Sequence, residues 1–335
     1  MKTEEFSGIL RGFGSCRVAV VGDMMLDVYL WGRVNRISPE APVPVVNIVN
    51  RTSCLGGAAN VMRNVATLGA RACAFGVTGC DSSGEELAAE LKKYRIGVEG
   101  VMRDETRRKT EKRRVIAGVQ QLLREDYEDL HAVPDGIRRA MVDRVAGLIR
   151  TGEVDAVIFE DYRKGLLADW MLEEIVSEAR RAGVVTALDP KPESIAPVKG
   201  ISVMKPNRSE AFALAGMHDS SEWVHPFEDR ALAEVARRLL DAWEPEQLLI
   251  SLAAQGMALF GRDGTVEVIP TRAREVFDVS GAGDTVTATF TLALVSGATP
   301  VQAAELANRA AGVVVAKVGT VPVHFAELEE ALKEA

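Results

Sequence analysis

Histidine and cysteine are scarce in this chain, with four of each among 335 residues. The cysteines form no CxxC pair, and none lies at ligand spacing from a histidine. Structural zinc sites use four such ligands in close spacing, so we expect none here. We expect the thiols to be reduced and mostly buried, which argues against thiol catalysis. The cysteines are Cys16, Cys54, Cys73 and Cys80.

Long apolar runs and an excess of basic residues are also missing. No run approaches the roughly 20 apolar residues that a membrane-spanning helix needs. The chain has 40 Lys and Arg against 48 Asp and Glu, a formal net charge of −8, which offers no positive field for nucleic acid. Residues 1–6 lack the basic-then-apolar order of a signal peptide. We therefore expect a cytoplasmic protein that binds neither a membrane nor nucleic acid.

The chain does contain a series of short, β-branched apolar runs, and each run is followed by polar residues. Helical patterns separate these runs, as in βαβ units. This alternation predicts an α/β fold with a doubly wound, mostly parallel sheet, and one binding crevice along its carboxyl edge. The runs are 17–21, 72–77, 155–159, 184–188, 202–204 and 248–250.

A second, smaller β unit is expected beside this sheet. Residues 42–49 alternate like an exposed strand, and their prolines favour an edge or a lid. Two further candidate lid strands lie near 98–102 and 113–116. We predict a single domain over 1–335 with lid segments at about 14–50 and 97–128. Exposed strand edges invite pairing, so we expect a homodimer through the lid.

The most informative stretch is Gly281-Ala282-Gly283-Asp284, which opens an apolar helical pattern. A glycine-rich helix start leaves amide groups free at the positive end of the helix dipole, which favours a bound anion. A carboxylate at the same turn is useful if it takes a proton from a group beside that anion. This combination indicates phosphoryl transfer to a hydroxyl, with Asp284 as the base. The alternative is an ordinary helix start with a first-turn charge.

Two further motifs lie at the predicted carboxyl edge of the sheet. Asp23 and Asp27 follow the first strand, where open α/β sheets bind ligands, although both could be turn caps. Gly56 and Gly57 precede a helix that carries Asn60. Paired glycines let the backbone approach a ligand, and an Asn amide can donate to and accept from a hydroxyl. Close helix packing is the alternative for the glycines.

A third motif pairs Asn207 with Glu210 at a helix start, at i and i+3. Their oxygens suit Mg²⁺ bound partly through water, and helix capping is the alternative. The basic run at 103–114 is typical of a solvated face. If the substrate is itself an anion, we expect one or two of Lys112, Arg114 and Arg124 to be exceptions that contact it.

Together these motifs resemble those of the ribokinase-like (PfkB) sugar kinases, from Gly22 to about Val323. The resemblance is narrower to the bacterial heptose 7-phosphate kinases at 36–46, 56–61, 120–124 and 310–315. Leu55 and Ser280 depart from that group, in which proline and threonine are common. The chain ends at Ala335 without an HxGH-type motif, so we expect a stand-alone kinase without the adenylyltransferase domain of bifunctional relatives.

The resemblance implies a role for each matching residue. Asp284 would be the catalytic base, and the amides of Gly281, Ala282 and Gly283 would form the anion hole. ATP and Mg²⁺ would be the cofactors, with K⁺ as in some relatives. The further implied residues are Asn207, Glu210, Ser251, Gly256, Asn308 and Gly312 for the nucleotide, the first two also for Mg²⁺; Asp27, Gly56, Gly57, Asn60, Lys112, Arg114, Asp161 and Lys164 for the sugar phosphate; and Asp278 for K⁺.

The resemblance thus implies an ATP-dependent kinase. We expect it to phosphorylate the anomeric hydroxyl of D-glycero-D-manno-heptose 7-phosphate, giving the 1,7-bisphosphate for ADP-heptose and lipopolysaccharide core synthesis. One alternative is another PfkB-type kinase for ribose, a fructose phosphate or a nucleoside. A non-catalytic sugar or nucleotide sensor is the other. A dinucleotide oxidoreductase is disfavoured, because Gly22-Asp23 after the first strand opens no GxGxxG turn.

Overall fold

Two β-sheets of different size organise the computed structural model, which describes residues 2–118, 120–219, 225–272 and 276–333. The strands in these ranges are β1 (Arg17–Gly22), β2 (Met24–Ile37), β3 (Pro44–Gly57), β4 (Arg71–Thr78), β5 (Gly97–Arg103), β6 (Glu111–Ala117), β7 (Gln120–Tyr127), β8 (Ala156–Glu160), β9 (Val185–Asp189), β10 (Val203–Met204), β11 (Gln247–Ser251), β12 (Met257–Gly261) and β13 (Val266–Ile269). The helices are α1 (Lys2–Gly12), α2 (Ala58–Thr67), α3 (Ser82–Lys93), α4 (Asp135–Arg150), α5 (Asp169–Ala182), α6 (Arg208–Leu214), α7 (Arg230–Trp243), α8 (Ala282–Val295), α9 (Pro300–Val315) and α10 (Phe325–Lys333).

The large sheet has the strand order β13-β12-β11-β10-β9-β8-β1-β4-β5 within the described ranges. Neighbours from β5 to β11 are parallel, and β12 and β13 add an antiparallel edge. The chain runs outward from β1 to β4 and β5, then returns to β8 on the other side. This reversal creates a topological switch point between β1 and β8, where α/β folds bind ligands. The predicted doubly wound, mostly parallel sheet is confirmed.

Helices cover both faces of the large sheet, which explains its continuous apolar strands. In β1, Val18 and Val20 face one core, while Ala19 and Val21 face the other. The first core lies under α1, α2, α8 and α9, and the second under α4, α5 and α7. No described helix is long and apolar enough to cross a membrane.

The small sheet has the order β3-β2-β6-β7 in the described part of the chain. The prolines of 42–49 correctly indicated an edge, because β3 pairs only with β2 there. The expected lid segments, 14–50 and 97–128, were too wide. Strand β1 and strand β5 both belong to the large sheet, where β5 pairs with β4. An alternating strand fits the edge of either sheet, so its pattern alone did not decide between them.

The cysteines are free, as expected, but less buried than expected. Cys16 is buried, Cys54 and Cys73 are half-buried, and Cys80 is exposed. Burial raises the pKa of the Cys54 thiol to about 11, so this thiol is a poor nucleophile at neutral pH.

Candidate active site

The start of α8 lies at the switch point, and one glycine permits the turn that leads into this helix. Gly281 is the N-cap residue and adopts φ 78°, a left-handed conformation that glycine tolerates best. A Cβ there would lie 2.6 Å from the side-chain nitrogen of Asn60. Gly281 therefore permits both the turn and the close approach of α2. The turn places Asp284 in the first turn of α8.

The carboxylate of Asp284 is buried between two hydrogen-bond donors. Asn60 Nδ2 donates to Oδ2 at 2.7 Å, and the hydroxyl of Tyr162 donates to Oδ1 at 2.7 Å. Burial raises the pKa of Asp284, and these two hydrogen bonds oppose that rise. A carboxylate with a raised pKa is a stronger base than an exposed one, which suits proton abstraction.

Asn60 is itself held in place from α2. Arg63 donates to the side-chain oxygen of Asn60 at 2.5 Å and to the carbonyl of Thr320 at 2.9 Å. With its oxygen bound to Arg63, Asn60 must present its NH₂ group to Asp284. Asn60 was expected to bind a sugar hydroxyl, and in this structure its amide contacts the base instead.

Buried charges end three neighbouring strands beside Asp284. Glu160 ends β8, Asp189 ends β9, and the two residues are register partners. Lys205 follows β10 and binds Asp189 Oδ2 at 2.8 Å. Burial opposes the charge of Lys205, but Asp189 and Glu160 raise its pKa to about 12, so the ammonium persists at neutral pH.

Lys205 also lies next to the glycine-rich turn. A Cβ on Gly283 would lie 3.4 Å from the Lys205 ammonium nitrogen. Glu160 has no hydrogen-bond partner for either carboxylate oxygen among the described residues. Burial, then the charge of Asp189, raises the pKa of Glu160 well above its ordinary value. The ammonium group of Lys205 therefore places a positive charge close to the amides of the glycine-rich turn.

The expected sugar-binding residues around β2 and β3 are close together. Asp27 accepts from Arg114 at 2.6 Å. A Cβ on Gly56 would lie 2.2 Å from Asp27 Oδ2, and one on Gly57 2.5 Å from the carbonyl oxygen of Asp23. These glycines thus allow the protein's own strands to pack closely, and they leave the Asp27–Arg114 pair beside the site.

The basic residues on the same side differ in how they are engaged. Lys164 forms a salt bridge with Glu128 at 2.6 Å. Lys112 lies 5.8 Å from the ring centroid of Tyr162 and forms no salt bridge with another described residue. Burial lowers the pKa of Lys112. Unlike Lys164, Lys112 therefore has no carboxylate partner among the described residues. Asp161, by contrast, accepts from the Arg163 amide at 2.8 Å, which is a turn contact.

Asn207 and Glu210 form a capping box at the start of α6. Asn207 Oδ1 accepts from the Glu210 amide at 2.9 Å, and Glu210 Oε2 accepts from the Asn207 amide at 2.9 Å. The other Glu210 oxygen binds Lys191. The capping alternative is thus realised, and any Mg²⁺ contact must use lone pairs that the cap leaves free. No cluster of three or more Asp, Glu, His or Cys among the described residues could hold a metal.

The other expected nucleotide residues surround the end of the large sheet. The backbone of Ser251, at the end of β11, pairs in parallel with that of Asn207, the N-cap residue of α6. Gly256 has φ 92°, and a Cβ there would lie 2.1 Å from the carbonyl oxygen of Ile269. Asn308 donates to the carbonyl of Pro270 at 2.6 Å. Gly256 and Asn308 thus both contact segment 269–270, and the half-buried Gly312 lies one helical turn beyond Asn308 on α9.

Asp278 contacts amide groups on both sides of its carboxylate. Oδ1 accepts from Ser280 at 2.9 Å, and Oδ2 accepts from Gly319 at 3.0 Å. Burial acts against this charge, but the hydrogen bonds lower the pKa of Asp278. Asp278, the residue implied for K⁺, therefore joins the turn before α8 to Gly319 by a direct hydrogen bond.

Sequence reasoning missed four residues that lie around the base. Each was visible as a polar residue at the carboxyl end of a strand, which was the available signal. Their side-chain roles depend on which strands are neighbours, and the sequence does not state the strand order. The missed residues are Tyr162, Glu160, Asp189 and Lys205.

Comparison with known proteins identifies the family. Residues 16–324 match the model of the pfkB family carbohydrate kinases. The chain belongs to the pfkB family of carbohydrate kinases. It is therefore a sugar kinase, a phosphotransferase with an alcohol group as acceptor.

The kinase is similar to part of two longer, bifunctional proteins. Bifunctional protein HldE of Desulfatibacillum aliphaticivorans is 42% identical over 322 residues, 96% of this chain and 64% of the relative. The HldE of Caulobacter sp. (strain K31) is 43% identical over 318 residues, 95% of this chain and 63% of the relative. The kinase thus spans less than two thirds of these relatives.

Solved structures of lower identity confirm the fold. Escherichia coli phosphofructokinase-2 in complex with potassium has a TM-score of 0.75 at 18% identity, covering 95% of the kinase and 98% of that chain. Arabidopsis thaliana ribokinase complexed with ribose and ATP has a TM-score of 0.68 at 18% identity, covering 95% and 99%.

Replacing Gly281 by alanine tests the contact at the start of α8. The φ of 78° should cost roughly 1 kcal/mol of unfolding free energy. The added methyl also displaces Asn60 from Asp284, so kcat should fall roughly 10-fold or more. Gly297→Ala is the matched control, with φ 85° and no atom within 4 Å of its Cβ. Equal kcat in the two variants would contradict the role of the Asn60 contact; denaturant unfolding and steady-state kinetics measure both effects.

Proposed function

We propose that this kinase transfers the γ-phosphoryl group of ATP to the anomeric hydroxyl of D-glycero-D-manno-heptose 7-phosphate. The observation that carries the proposal is the buried Asp284 carboxylate beside a glycine-rich helix start. The heptose kinase motifs and the identity of 42–43% to the HldE relatives support the substrate. The product, the 1,7-bisphosphate, would supply ADP-heptose and lipopolysaccharide core synthesis. The use of ATP favours a cytoplasmic location.

The chemical step uses Asp284 as general base. Its carboxylate accepts the proton of the sugar hydroxyl while the sugar oxygen forms a bond to the γ-phosphorus. The bond between that phosphorus and the bridging oxygen breaks, and ADP leaves. Burial raises the pKa of Asp284 and so strengthens the base, while the hydrogen bonds from Asn60 and Tyr162 stabilise its ionised form.

Negative charge that develops on the transferred group is stabilised at the start of α8. The first amides of a helix lack partners within the helix and point toward an anion. Ala282 donates to the carbonyl of Val279 at 3.2 Å, so the amides of Gly281 and Gly283 are the donors expected to face the phosphoryl group. The ammonium of Lys205, close to Gly283, adds a positive charge at the same place.

Replacing Asp284 by asparagine tests the base. The variant keeps the size of the side chain but removes the proton acceptor, so kcat should fall roughly 10²- to 10⁴-fold. The measurement is ATP-dependent ADP release with heptose 7-phosphate, ribose, fructose 6-phosphate and adenosine as acceptors. Near-normal turnover of Asp284→Asn would overturn the base assignment.

The same panel tests the substrate. Turnover with heptose 7-phosphate alone is the expected result. Turnover with a different acceptor would keep the mechanism and reject the heptose, while nucleotide binding without any turnover in the wild type would indicate a sensor.

The phosphate already on the sugar is expected to bind beside Tyr162. Lys112 projects from β6 of the small sheet to within 5.8 Å of the Tyr162 ring. Arg114, two residues later, is paired with Asp27 and holds that carboxylate toward the sugar hydroxyls. We therefore assign the phosphate chiefly to Lys112, and the orientation of Asp27 to Arg114.

Truncation of Lys112 tests this assignment. Lys112→Ala should raise KM for the sugar phosphate roughly 10- to 100-fold, the loss of one charge-assisted hydrogen bond, with a smaller change in kcat. Lys92→Ala, an exposed lysine on α3, is the control. A fall in kcat as large as the rise in KM would count against a phosphate-binding role.

Asn207 and Glu210 are the proposed contacts for ATP-bound Mg²⁺. Their hard oxygens suit this ion. Asn207 Oδ1 accepts from the Glu210 amide and from the Ser209 hydroxyl at 2.7 Å, so a Mg²⁺ contact there would displace the Ser209 hydroxyl. When bound, Mg²⁺ would neutralise the nucleotide phosphates. Ser251, Gly256, Asn308 and Gly312 would surround the rest of the nucleotide. Dialysis against EDTA should abolish turnover and added Mg²⁺ should restore it; full activity after chelation would reject this proposal.

A monovalent-cation site at Asp278 is a separate proposal. A phosphofructokinase-2 of the same fold was solved in complex with potassium. In this kinase Asp278 joins the turn before α8 to Gly319 through a hydrogen bond. A bound K⁺ at this junction would stabilise the glycine-rich turn. Activity should therefore be higher in KCl than in an equal concentration of tetramethylammonium chloride, and equal rates would contradict the proposal.

A homodimer through the small sheet is proposed from its exposed apolar residues. Ile37 on β2 and Val49 on β3 are 61% and 59% exposed. Exposed apolar side chains beside an open strand edge favour self-association. The double variant Ile37→Lys, Val49→Lys should shift the mass in sedimentation from dimer to monomer. Val266→Lys, a 49% exposed site on β13, is the control; a monomeric wild type would reject the dimer.

A further inference from the structure

The hydroxyl of Tyr162 is one of the two groups that contact the Asp284 carboxylate. It donates to Oδ1 at 2.7 Å, while Asn60 holds Oδ2. The loop that carries Tyr162 follows β8 directly. Its backbone is fixed, because the amides of Tyr162 and Lys164 both donate to Asp23 Oδ2 at 3.0 Å. The ring therefore approaches Asp284 from a loop that is tied to the end of β1.

The ring of Tyr162 also lies between the two proposed ends of the substrate complex. The ammonium of Lys112, from the small sheet, lies 5.8 Å from the ring centroid. The ammonium of Lys191, which binds Glu210 on the nucleotide side, lies 5.3 Å from it. Cations at these distances are attracted to an aromatic ring. One side chain thus contacts the base and a lysine from each proposed substrate-binding region.

We propose that Tyr162 is a positioning residue for Asp284, whose hydroxyl fixes the carboxylate orientation and stabilises its ionised form during proton transfer. This proposal rests on the proposed function, since it concerns the base of the same reaction. Asn60 alone would leave Oδ1 free to rotate away from the acceptor hydroxyl. A second donor on Oδ1 removes that freedom, and Oδ1 retains a lone pair for the sugar.

The direction of the electrostatic effect follows from the surrounding charges. Glu160 on β8 and Asp189 on β9 face Asp284 and disfavour its ionisation, whereas Lys205 after β10 favours it. Burial, then the charge of Asp284, raises the pKa of Tyr162 well above its ordinary value, so its hydroxyl keeps the proton that it donates. A hydrogen bond to a carboxylate lowers the pKa of that carboxylate. Its loss should therefore raise the pKa of Asp284.

Replacing Tyr162 by phenylalanine tests the proposal. The ring and its two lysine contacts are kept, and only the donor is lost. We expect kcat to fall roughly 10-fold with little change in KM, the scale of a hydrogen bond to a charged group. The acid limb of kcat/KM should move to higher pH, since Asp284 must be ionised to act. Tyr94→Phe changes a half-buried tyrosine that directly follows α3 and is the matched control. Thermal unfolding checks that both variants fold.

A second measurement does not depend on the substrate. The Asp284 carboxyl carbon can be titrated by ¹³C NMR in aspartate-labelled protein, and assigned by its loss in Asp284→Asn. The pKa should be higher in Tyr162→Phe than in the wild type. An unchanged pKa would overturn the proposal even if no acceptor in the panel were phosphorylated. A lower KM with unchanged kcat would also overturn it, because the hydroxyl would then only occupy the place of the acceptor.

Discussion

The buried charge of Asp284 is the constraint on which the surrounding structure depends. A carboxylate without partners would be too costly to bury in its ionised form. Here the N-terminus of α8, the side chain of Asn60 and the hydroxyl of Tyr162 all stabilise it. Each of these groups is held in turn, Asn60 by Arg63 and the Tyr162 loop by Asp23. Helix α2, the loop after β8 and the glycine turn thus meet at one buried carboxyl group.

In the proposed function the same region also binds the anionic phosphates of the substrate complex, and its lysines would make this possible. The buried carboxyl groups of Asp284, Glu160 and Asp189 would repel a nucleotide if no positive charge lay beside them. Lys205 binds Asp189, and Lys191 binds Glu210, so part of the negative charge is neutralised inside the protein. Burial and Asp189 raise the pKa of Glu160, which favours its neutral form. The positive charge near the glycine turn therefore remains effective toward a phosphoryl group.

Much of the fold and the centre of the site could be predicted from the sequence, because both are encoded locally. Apolar runs identify the parallel strands, and the glycines before Asp284 identify a helix start. The donor from Tyr162 could not be predicted, since its contact with Asp284 joins residues 122 positions apart. The prediction that β5 belongs to the lid was also wrong, because its alternating pattern fits the edge of either sheet. Strand order is a property of the whole chain, and these errors follow from it.

In the proposed function the small sheet binds the sugar phosphate, whereas the large sheet provides the transfer chemistry. The helix start, Lys205 and the capping box all depend on the large sheet, and the fold neighbours share that architecture. The acceptor side depends on β2 and β6, whose parallel pairing sets Asp27 beside Lys112 and Tyr29 beside Arg114. A one-residue slip in this register would turn Lys112 away from Tyr162. On the proposed assignment, acceptor specificity would therefore depend on the pairing of these two strands as much as on the residues that they carry.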